Sequence, residues 1–367
     1  MNIGIIGTRG IPNRYGGFEQ LAERLSVGLS QRSHRVTVYN SHAHPYQLKD
    51  FGGVEIVHCY DAEKRLGTFG QFIYDLNCIR DARKKKFDVL LFLGYTSSSV
   101  WGRWFPKQSV IISNMDGMEW KREKYSKPVR NFLQHAEKLA VDHSDHFIAD
   151  SPVIAAYLKD KYAIESEYIA YGADTAVVPN EALLEKYSLT RGNYFMLMAR
   201  MEPENNIETI LDGFHQSESD KYFIVLGNTN NGYGRSLKNK YSKDSRIIFA
   251  GSVFDNRITR SLINFSHIYF HGHSAGGTNP SLLEAMAAGA LISAHGNDFN
   301  RAVLNKDAFY FTSSADVKRQ VEMDLDPEII NSLKKNNLKK IEAQYNWPMI
   351  VEQYEAYISR CYNLAKS

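Results

Sequence analysis

The sequence predicts an α/β protein made of two doubly wound, Rossmann-like domains. Short runs of β-branched and aromatic residues alternate along the chain with longer stretches in which apolar residues recur every three or four positions. This alternation of strand and helix is typical of parallel sheets built from right-handed crossovers. The chain has 367 residues, and at about 150 residues per domain this length suits two domains and a short remainder.

The first half of the chain predicts one complete doubly wound domain, which we place at residues 1–175. Its predicted strands are Ile3–Ile6, Arg35–Tyr39, Val54–His58, Val89–Leu93, Val110–Ser113 and Phe147–Ala149. The helical patterns between them include Phe18–Leu29, Gln71–Lys85 and Val129–Val141.

The alternation pauses around residues 171–180, where Gly172 and Pro179 interrupt it, and then begins again. We place the second domain at residues 176–345. Its predicted strands are Tyr194–Met198, Phe223–Leu226, Ile247–Phe249, Ile268–Phe270 and Leu291–Ala294. The final segment, residues 346–367, contains a predicted helix over Trp347–Asn363 that is capped by Asn346.

The composition excludes several classes of protein. With 44 basic and 41 acidic residues the formal net charge is +3, whereas a dedicated nucleic-acid-binding domain is usually far more basic. Cys59, Cys78 and Cys361 form neither a disulfide framework nor a zinc motif, which fits a reducing cytosol. The sequence begins with a strand-like segment and not a signal peptide, and no apolar run approaches the ~20 residues of a membrane-spanning helix. We therefore expect a cytoplasmic protein that at most touches the inner face of the cell membrane.

Ligands of doubly wound sheets bind at the carboxyl ends of the strands, so the loops that follow strands are the first candidates for chemistry. The loop from Gly7 to Gly17 follows the first strand and lacks the G-x-G-x-x-G order of a dinucleotide site. Gly16 and Gly17 stand at a helix start, where backbone amides can approach an anion closely. An ordinary glycine turn is the alternative, but Arg9 and Arg14 in the same loop favour a phosphate or another acidic ligand.

Two further loops each carry one charged candidate. Asp116 follows the fifth predicted strand of the first domain, where a carboxylate can bind sugar hydroxyls or accept a proton. The alternative is an Asp-Gly turn, which is common. Arg200 follows the first predicted strand of the second domain, and its planar fork of donors suits a diphosphate. The alternative for Arg200 is a surface salt bridge with Glu202 or Glu204.

The loop after the fourth predicted strand of the second domain has the most specific pattern. Asn279 followed by Pro280 marks a helix start, and Gly276-Gly277-Thr278 directly before it would present backbone amides to an anion. Glu284 lies about one turn inside this helix, close enough to accept hydrogen bonds from a ribose. The alternative is a solvent-exposed glutamate, but the rest of the helix is apolar, and a buried carboxylate needs a partner.

Two histidines of the same loop, His271 and His273, raise the question of a metal site. No cysteine, aspartate or third histidine accompanies them at the spacing of metal ligands. We therefore predict that no metal binds here.

Together these loops resemble those of the retaining glycosyltransferases of family 4, which have the GT-B fold. That family has a Gly-Gly loop after its first strand, an arginine early in its second domain, and a Glu-x7-Glu signature ending in Glu-Ala-Met-Ala-x-Gly. The last element stands here as Glu284-Ala285-Met286-Ala287-Ala288-Gly289, and the resemblance covers nearly the whole chain, including Gly172-Ala173-Asp174 at the interdomain hinge. It implies two Rossmann-like domains that face each other across a cleft, with the C-terminal helix returning to the first domain.

A narrower resemblance points to one subgroup of that family. It rests on Ile6-Gly7-Thr8-Arg9-Gly10-Ile11-Pro12, Tyr15-Gly16-Gly17-Phe18-Glu19, Asn114-Met115-Asp116-Gly117 and Gly277-Thr278-Asn279-Pro280-Ser281. Members of the subgroup are commonly described as rhamnosyltransferases of bacterial surface-polysaccharide assembly. Two positions depart from the wider family: Gly276 stands where the first glutamate of the signature is expected, and Asn205 stands where a lysine is expected.

The resemblance implies transfer of a sugar, with retention of its anomeric configuration, from a nucleotide diphosphate sugar to a hydroxyl of a growing, lipid-linked surface glycan. The subgroup resemblance makes dTDP-rhamnose the expected donor, and a less polar pocket at Gly276 is consistent with a 6-deoxy sugar. No metal or other cofactor is implied, because cationic groups of the protein stabilise the leaving diphosphate.

The resemblance also implies roles for individual residues. The implied donor-binding residues are Arg9, Gly16, Gly17, Arg200, Asn205, Gly276, Gly277, Thr278, Asn279 and Glu284. Arg200 would act as a catalytic residue on the leaving diphosphate, together with the amides before Asn279. Glu284 would hold the ribose. Asp116 would be the second catalytic residue, in contact with donor or acceptor hydroxyls.

The first domain also carries two basic stretches, Arg80–Lys86 and Lys121–Arg130. Either one alone is usually a solvated helix face. Four aromatic residues lie nearby in the sequence, and they are Trp101, Trp104, Phe105 and Trp120. This combination predicts peripheral contact with anionic lipid, which would suit a lipid-linked acceptor.

Two other interpretations stay open. The departures at Asn205 and Gly276 are compatible with a degenerate GT-B protein that binds a nucleotide sugar without turnover. A nucleotide-sugar 2-epimerase has the same architecture but needs acid and base carboxylates around the sugar, and the glycine at position 276 argues against it. A phosphorylase would need a lysine for pyridoxal phosphate, and the relevant loops of the second domain contain none.

Overall fold

The computed structural model describes residues 1–14, 16–115, 117–122, 125–175 and 177–367. The chain divides into two compact units. Unit 1 contains Met1–Lys121, Tyr125–Tyr171 and Trp347–Ser367, and unit 2 contains Gly172–Asn346 together with Arg122. Each unit is built on one sheet and has its own hydrophobic core.

The sheet of unit 1 is formed by eight strands of the described ranges. They are β1 (Asn2–Ile6), β2 (Arg35–Ser41), β3 (Asp50–Phe51), β4 (Val54–Cys59), β5 (Val89–Leu93), β6 (Val110–Asn114), β7 (His146–Ala149) and β8 (Glu167–Tyr168). Their order is β3-β4-β2-β1-β5-β6-β7-β8, and the edge strand β3 runs antiparallel to its neighbour. The order reverses between β1 and β5, so the loops after these two strands flank the switch point of the sheet.

Helices cover both faces of this sheet, as crossovers between parallel strands require. Those before the second unit are α1 (Gly17–Gln31), α2 (Glu63–Leu66), α3 (Gly70–Ala82), α4 (Lys127–His143) and α5 (Pro152–Tyr162). Strand β5, with the sequence VLLFL, is buried along its whole length. A continuous apolar run of this kind is typical of a central parallel strand that is covered on both faces.

The sheet of unit 2 has six strands in the order β11-β10-β9-β12-β13-β14. They are β9 (Tyr194–Met198), β10 (Tyr222–Leu226), β11 (Ile247–Gly251), β12 (Tyr269–His271), β13 (Ile292–His295) and β14 (Phe309–Phe311). All the described pairings of this sheet are parallel. The order reverses between β9 and β12, which are neighbours, so the loops after these strands flank the switch point.

Seven α-helices connect the strands of unit 2 or follow its sheet within the described ranges. They are α6 (Ile207–His215), α7 (Gly232–Lys240), α8 (Asn256–Phe265), α9 (Pro280–Ala287), α10 (Asp298–Leu304), α11 (Ser314–Glu322) and α12 (Pro327–Gln344). The core contains packed phenyl rings: the ring centroids of Phe214 and Phe223 lie 5.1 Å apart, and those of Phe223 and Phe270 lie 5.8 Å apart. This dry core supports the strand ends from which the loops of unit 2 emerge.

The last helix, α13 (Trp347–Lys366), belongs to unit 1 although it follows unit 2 in the chain. It packs against α1. Asn114 Nδ2 donates a hydrogen bond to the buried Tyr354 Oη at 2.9 Å, and Tyr357 Oη donates to the carbonyl of Phe147 at 2.9 Å. These bonds attach α13 to β6 and β7.

The predicted α/β fold class with two parallel-sheet domains is confirmed, and β5 and β9 have the predicted bounds. The other predicted strands and helices differ from the structure by one to three residues at one or both ends. The strand expected at Ile268–Phe270 lies one residue further along, and the helix expected to reach Lys85 ends at Ala82, because the next three residues form a turn. The edge strands β3 and β8 and the short β14 were not predicted, since two or three residues show no alternation.

Within the ranges that the structure describes, no helix has the length and apolar character needed to cross a membrane. The same ranges contain no group of three or more His, Cys, Asp or Glu side chains placed to hold a metal ion. The three cysteines are buried and carry free thiols.

Candidate functional site

The predicted loops of the second half flank the switch point of the unit 2 sheet. Residues 199–206 follow β9, and residues 272–279 follow β12. Because β9 and β12 are neighbours, these loops emerge side by side at the carboxyl edge of the sheet. This edge is where open α/β sheets bind their ligands.

The two loops are fastened to each other by hydrogen bonds. Asn206 Nδ2 donates to the carbonyl of Gly272 at 2.8 Å, and Ser274 donates to the carbonyl of Glu204 through its backbone amide at 3.0 Å and through its hydroxyl at 2.8 Å. A Cβ atom on Gly272 would lie 2.0 Å from the carbonyl oxygen of Asn205. The close approach therefore requires glycine at position 272.

We call the two fastened loops, residues 199–206 and 272–279, the platform. Arg200 lies on it with an exposed side chain. Its own carbonyl accepts a hydrogen bond from Asn205 Nδ2 at 2.8 Å, which fixes the backbone from which the guanidinium extends. Among the described residues, no carboxylate forms a salt bridge with Arg200, so the alternative pairing with Glu202 or Glu204 is wrong for those two residues. The guanidinium is thus available to an anionic ligand.

Asn205 occupies the position where family 4 is expected to have a lysine, and it is buried. Its amide supports the Arg200 loop from inside, so the structure places Asn205 beneath the loop surface. Gly276 has a backbone φ of 109°, a conformation that side-chain-bearing residues rarely adopt. A Cβ atom there would meet no atom within 4 Å, so the residue faces open space.

The helix start predicted at Asn279 is confirmed. Asn279 Oδ1 accepts hydrogen bonds from the backbone amide of Ser281 at 3.0 Å and from its hydroxyl at 2.8 Å, and Pro280 is the first residue of α9. Gly276 and Gly277 are partly exposed directly before this cap, whereas Thr278 is buried. The dipole of α9 therefore adds to the attraction of Arg200 for an anion at this loop.

Glu284 lies in the second turn of α9 and is half-buried. Arg260, on α8, lies near it and donates hydrogen bonds to the carbonyls of Asp174, at 2.6 Å, and of Ala287. Burial lowers the pKa of Arg260, and the negative charges of Asp174 and Glu284 oppose that shift. The structure thus holds the glutamate beside a cation and not on a fully solvated helix face.

The sequence did not predict that Arg260 lies at this site, nor that Arg122 and Glu204 form an ion pair beside it. Arg122 Nη1 lies 3.5 Å from Glu204 Oε1, and their side chains are 14% and 4% exposed. The sequence places Arg122 in the basic stretch Lys121–Arg130, which is expected on the surface of the first domain. That expectation is wrong for this residue, which is grouped with unit 2 and lies beside the Arg200 loop. No spacing in the sequence connects positions 122 and 204.

His271, the last residue of β12, and His273, in the loop after it, form a stack in which His271 is buried and His273 is half-buried. The rings of His271 and His273 lie 4.4 Å apart and are nearly parallel. Within the described part of the chain, three of their ring nitrogens have no hydrogen-bond partner: Nδ1 and Nε2 of His271 and Nδ1 of His273. Burial lowers the pKa of His271 well below its usual value, and burial with the nearby charges of Arg200 and Arg122 lowers the pKa of His273 to about 3. Both rings are therefore neutral at pH 7.

In unit 1, the loop after β1 contains the other predicted anion-binding residues. Gly16 is the N-terminal cap residue of α1, and Gly17 is its first residue; both are partly exposed. The backbone amide of Arg9 donates to Glu19 Oε1 at 2.9 Å, and Arg9 Nη2 lies 2.6 Å from Glu63 Oε1. Arg9 is thus already engaged with a carboxylate at the start of α2. Asp116, the predicted contact to sugar hydroxyls, lies outside the described residues.

Comparison with known proteins supports the fold across the whole chain. A family model described as a domain of unknown function, DUF1972, matches residues 1–174, a little under half of the chain. No curated protein matches by sequence. Sucrose-phosphate synthase from Thermosynechococcus elongatus superposes with a TM-score of 0.82 at 16% identity, covering 100% of both chains. Anabaena HepE in complex with UDP-glucose gives a TM-score of 0.78 at 14% identity, covering 98% of this chain and 99% of HepE.

A third structure is AviGT4, a glycosyltransferase involved in avilamycin A biosynthesis. It matches with a TM-score of 0.61 at 14% identity, covering 99% of this chain and 98% of its own. The chain has the GT-B fold. The GT-B prediction from the sequence is therefore confirmed at the level of the fold, and the loops at both switch points occur in a scaffold that other proteins use for glycosyl transfer.

Because of the two stacked histidines, we expect the free energy of unfolding of this GT-B protein to fall as the pH is lowered. In the unfolded chain His271 and His273 take up protons near pH ~6.5, whereas in the folded protein both pKa values are lowered. Below that pH the unfolded state binds more protons, so each such histidine lowers the free energy of unfolding by ~1.4 kcal/mol per pH unit. Urea unfolding between about pH 7 and pH 5 measures this slope.

A matched pair of variants isolates the contribution of the stack. H271L removes a fully buried imidazole, so we expect a shallower pH slope than in the parent protein. H135L removes an exposed imidazole on α4 and should leave the slope unchanged. An H271L protein with the slope of the parent would contradict the assignment.

Proposed function

We propose that the protein is a glycosyltransferase whose donor is a nucleotide diphosphate sugar. The observation that carries the proposal is the platform at the unit 2 switch point. There the exposed guanidinium of Arg200, the glycines before the α9 cap and the carboxylate of Glu284 belong to two loops and a helix at one edge of the sheet. A nucleotide diphosphate sugar presents the matching chemistry, namely a diphosphate and a ribose.

The proposed chemistry depends on stabilising charge. When the bond between the sugar and the diphosphate breaks, negative charge develops on the diphosphate and positive character on the sugar ring. Fixed donors aimed at the leaving group contribute the largest share of catalysis in such a reaction. Arg200 would supply a two-pronged cation, and the amides of residues 276–278 and the α9 dipole would supply further donors. Asn205 holds the Arg200 loop and so preorganises it.

Glu284 would bind the ribose of the donor. Its carboxylate can accept two hydroxyl hydrogen bonds, and charge-assisted bonds of this kind are stronger than neutral ones. Arg260 keeps the carboxylate beside a positive charge while it is partly buried. The resemblance also assigns donor contacts to Gly16 and Gly17, and contacts with hydroxyls of donor or acceptor to Asp116.

The finer features of the proposal come from the sequence resemblance. We assign the protein to the rhamnosyltransferase-like subgroup of family 4, with retention of configuration and with dTDP-rhamnose as donor. The acceptor would be a hydroxyl of a lipid-linked surface glycan. HepE was crystallised with UDP-glucose, which shows that a chain of this fold can hold a nucleotide sugar. The open space at Gly276 suits a sugar that lacks one hydroxyl. Arg200 and the amides would supply the positive charge, so the proposal includes neither metal nor cofactor.

A second candidate function is binding of a nucleotide sugar without turnover. Two observations favour it: Asn205 is directed into the loop, and Gly276 offers no side chain to the sugar. Release of free nucleotide from the donor distinguishes the two functions, because a binding protein forms the complex and leaves the donor intact.

The test of donor binding is thermal unfolding with a panel of nucleotide diphosphates and their sugars. A ligand at ~100 times its dissociation constant that binds only the folded state adds about 2.7 kcal/mol to the free energy of unfolding. We expect this shift with dTDP or dTDP-rhamnose in the parent protein. In E284A, loss of the ribose contacts should weaken binding about tenfold or more, which leaves roughly 1.4 kcal/mol or less.

The matched control is E328A, which removes an exposed glutamate of α12 in the same unit and should keep the full shift. Each variant is compared with its own ligand-free unfolding temperature, so that a change in basal stability does not count as a change in binding. A well-folded parent protein that responds to no nucleotide would contradict the proposal.

A further inference from the structure

Five apolar side chains of unit 1 form a surface feature that the proposed donor site does not use. We call Leu66, Phe69, Phe72, Val129 and Phe132 the apolar ridge. Phe69 is 76% exposed and Leu66 is 52% exposed, and Val129 and Phe132 are also exposed to solvent. Large apolar side chains with this exposure are unremarkable singly, but a contiguous group of them marks an interaction surface.

The ridge is contiguous. The ring centroids of Phe69 and Phe72 lie 6.1 Å apart, and those of Phe72 and Phe132 lie 5.7 Å apart. Val129 precedes Phe132 by three residues on α4, so these two side chains share one side of that helix, and Leu66 lies three residues before Phe69 in the sequence. Trp101 Nε1 donates a hydrogen bond to the carbonyl of Phe72 at 2.9 Å, which holds the backbone of the ridge at this residue.

Three exposed cations lie beside the ridge in the sequence. Lys64 and Arg65 precede Leu66 on α2, and Lys127 begins α4 two residues before Val129; all three are exposed. Within the described ranges none of these three cations has a salt-bridge partner. The carboxylate on α2, Glu63, is neutralised by Arg9.

The ridge lies at the edge of the sheet where the ligand loops of unit 1 emerge. Helices α2 and α3 follow the carboxyl end of β4, and α4 follows the carboxyl end of β6. The ridge residues belong to the end of α2, to the turn before α3, or to the first halves of α3 and α4. The ion pair between Arg9 and Glu63 connects the loop after β1 directly to α2.

We propose that the apolar ridge inserts into the surface of an anionic lipid bilayer, with Lys64, Arg65 and Lys127 on the headgroups. Aromatic and aliphatic side chains that enter the headgroup boundary, flanked by lysine and arginine, are the combination by which peripheral proteins bind anionic membranes. The carboxyl edge of the unit 1 sheet then faces the lipid. The inference rests on the proposed function in one respect, namely that the membrane would present the lipid-linked acceptor at this edge.

This surface differs from the one expected from the sequence. Phe105 is buried and stacks on Phe92, and Arg122 is engaged with Glu204. Trp104 is exposed, but Arg80 and Arg83 lie over its ring at 5.6 and 5.7 Å. The basic stretch Lys121–Arg130 therefore contributes Lys127 to the rim and Val129 to the ridge, whereas Leu66, Phe69 and Phe72 come from a segment that the sequence analysis did not single out for membrane contact.

A bilayer fits the ridge better than a second copy of the chain. A two-fold contact would bring the same surface of two molecules together, so Lys64, Arg65 and Lys127 of both copies would lie around one interface and repel one another. An anionic lipid surface has the opposite charge and needs no pocket complementary to a projecting side chain such as Phe69.

The test is flotation of the full chain with vesicles of phosphatidylcholine alone and of phosphatidylcholine with phosphatidylglycerol in equal parts. The protein should float with the anionic vesicles at low salt, less so at high salt, and not with the neutral ones. F69S/F132S should reduce the bound fraction at least tenfold. The matched control F254S changes a phenylalanine of unit 2 that is 84% exposed and should bind like the parent.

Two further measurements distinguish loss of vesicle binding from misfolding and from loss of the donor site. In F69W the new indole should shift its emission to the blue with anionic vesicles, whereas F254W should not. The nucleotide-induced stabilisation of F69S/F132S should equal that of the parent, which separates loss of membrane binding from loss of the donor site. Absence of vesicle binding by the parent at low salt would overturn the proposal, as would full binding by F69S/F132S. A dimer of the parent that dissociates in F69S/F132S, without vesicle binding, would assign the ridge to a second copy.

Discussion

Replacing Arg200 with alanine is expected to slow release of nucleotide from the donor sugar about 100- to 1000-fold. Loss of one preorganised donor to a developing anion has an effect of this size in other enzymes. Arg200 is exposed on a loop whose backbone is fixed by Asn205 and by the bonds to Gly272 and Ser274, so the guanidinium extends from a fixed point of the proposed diphosphate site. The measurement is the initial rate of free nucleotide formation with donor and acceptor supplied.

Two variants sharpen this experiment. R200K keeps the positive charge but loses the planar fork, so its rate should lie between those of R200A and the parent. R257A removes an exposed arginine of α8 whose partner is Asp255, at 2.8 Å, and should leave the rate unchanged. An R200A protein as fast as R257A would exclude Arg200 from the leaving-group site.

Replacing Gly272 with alanine is expected to damage stability and donor binding together. The new Cβ would lie 2.0 Å from the carbonyl oxygen of Asn205, a backbone atom that can move only with its loop. Steric insertion into a packed site costs typically 1–3 kcal/mol, so we expect roughly that loss in urea unfolding. The displaced loop carries Arg200, so the nucleotide-induced stabilisation should also disappear.

The control for this prediction is G232A, at the start of α7 in the same unit. A Cβ atom on Gly232 would meet nothing within 4 Å, so this variant should keep the stability and the nucleotide response of the parent. If G272A retained both properties as well, the two loops would not depend on their close approach.

The fold was predictable where both faces of a strand are buried, because such a strand is apolar along its length. Strands β5 and β9 consist of uninterrupted apolar residues because helices cover both faces of each sheet, and their bounds followed from composition alone. The edge strand β3 has two residues, and its pairing depends on the turn before β4. Such a segment carries no periodicity, so sequence analysis had no signal with which to find it.

The candidate site was predictable where its loops contain residues that mark the start of a helix. Asn279 and Pro280 fixed the start of α9, because cap chemistry is local. The burial of Asn205 and the approach of Arg122 to Glu204 depend on contacts between distant segments, which residue spacing does not contain. Arg260 was missed for the same reason, since its partners at positions 174 and 287 lie far from it in the sequence.

The placement of α13 in unit 1 has a consequence for biosynthesis. The ribosome makes all of unit 2 before it makes this helix, so the sheet of unit 2 can form while unit 1 still lacks the cover on α1 and the partners of Asn114 and Phe147. The half of the protein that is made first is therefore completed last. A nascent chain interrupted at residue 346 would contain every element of unit 2, yet the damage would fall on unit 1.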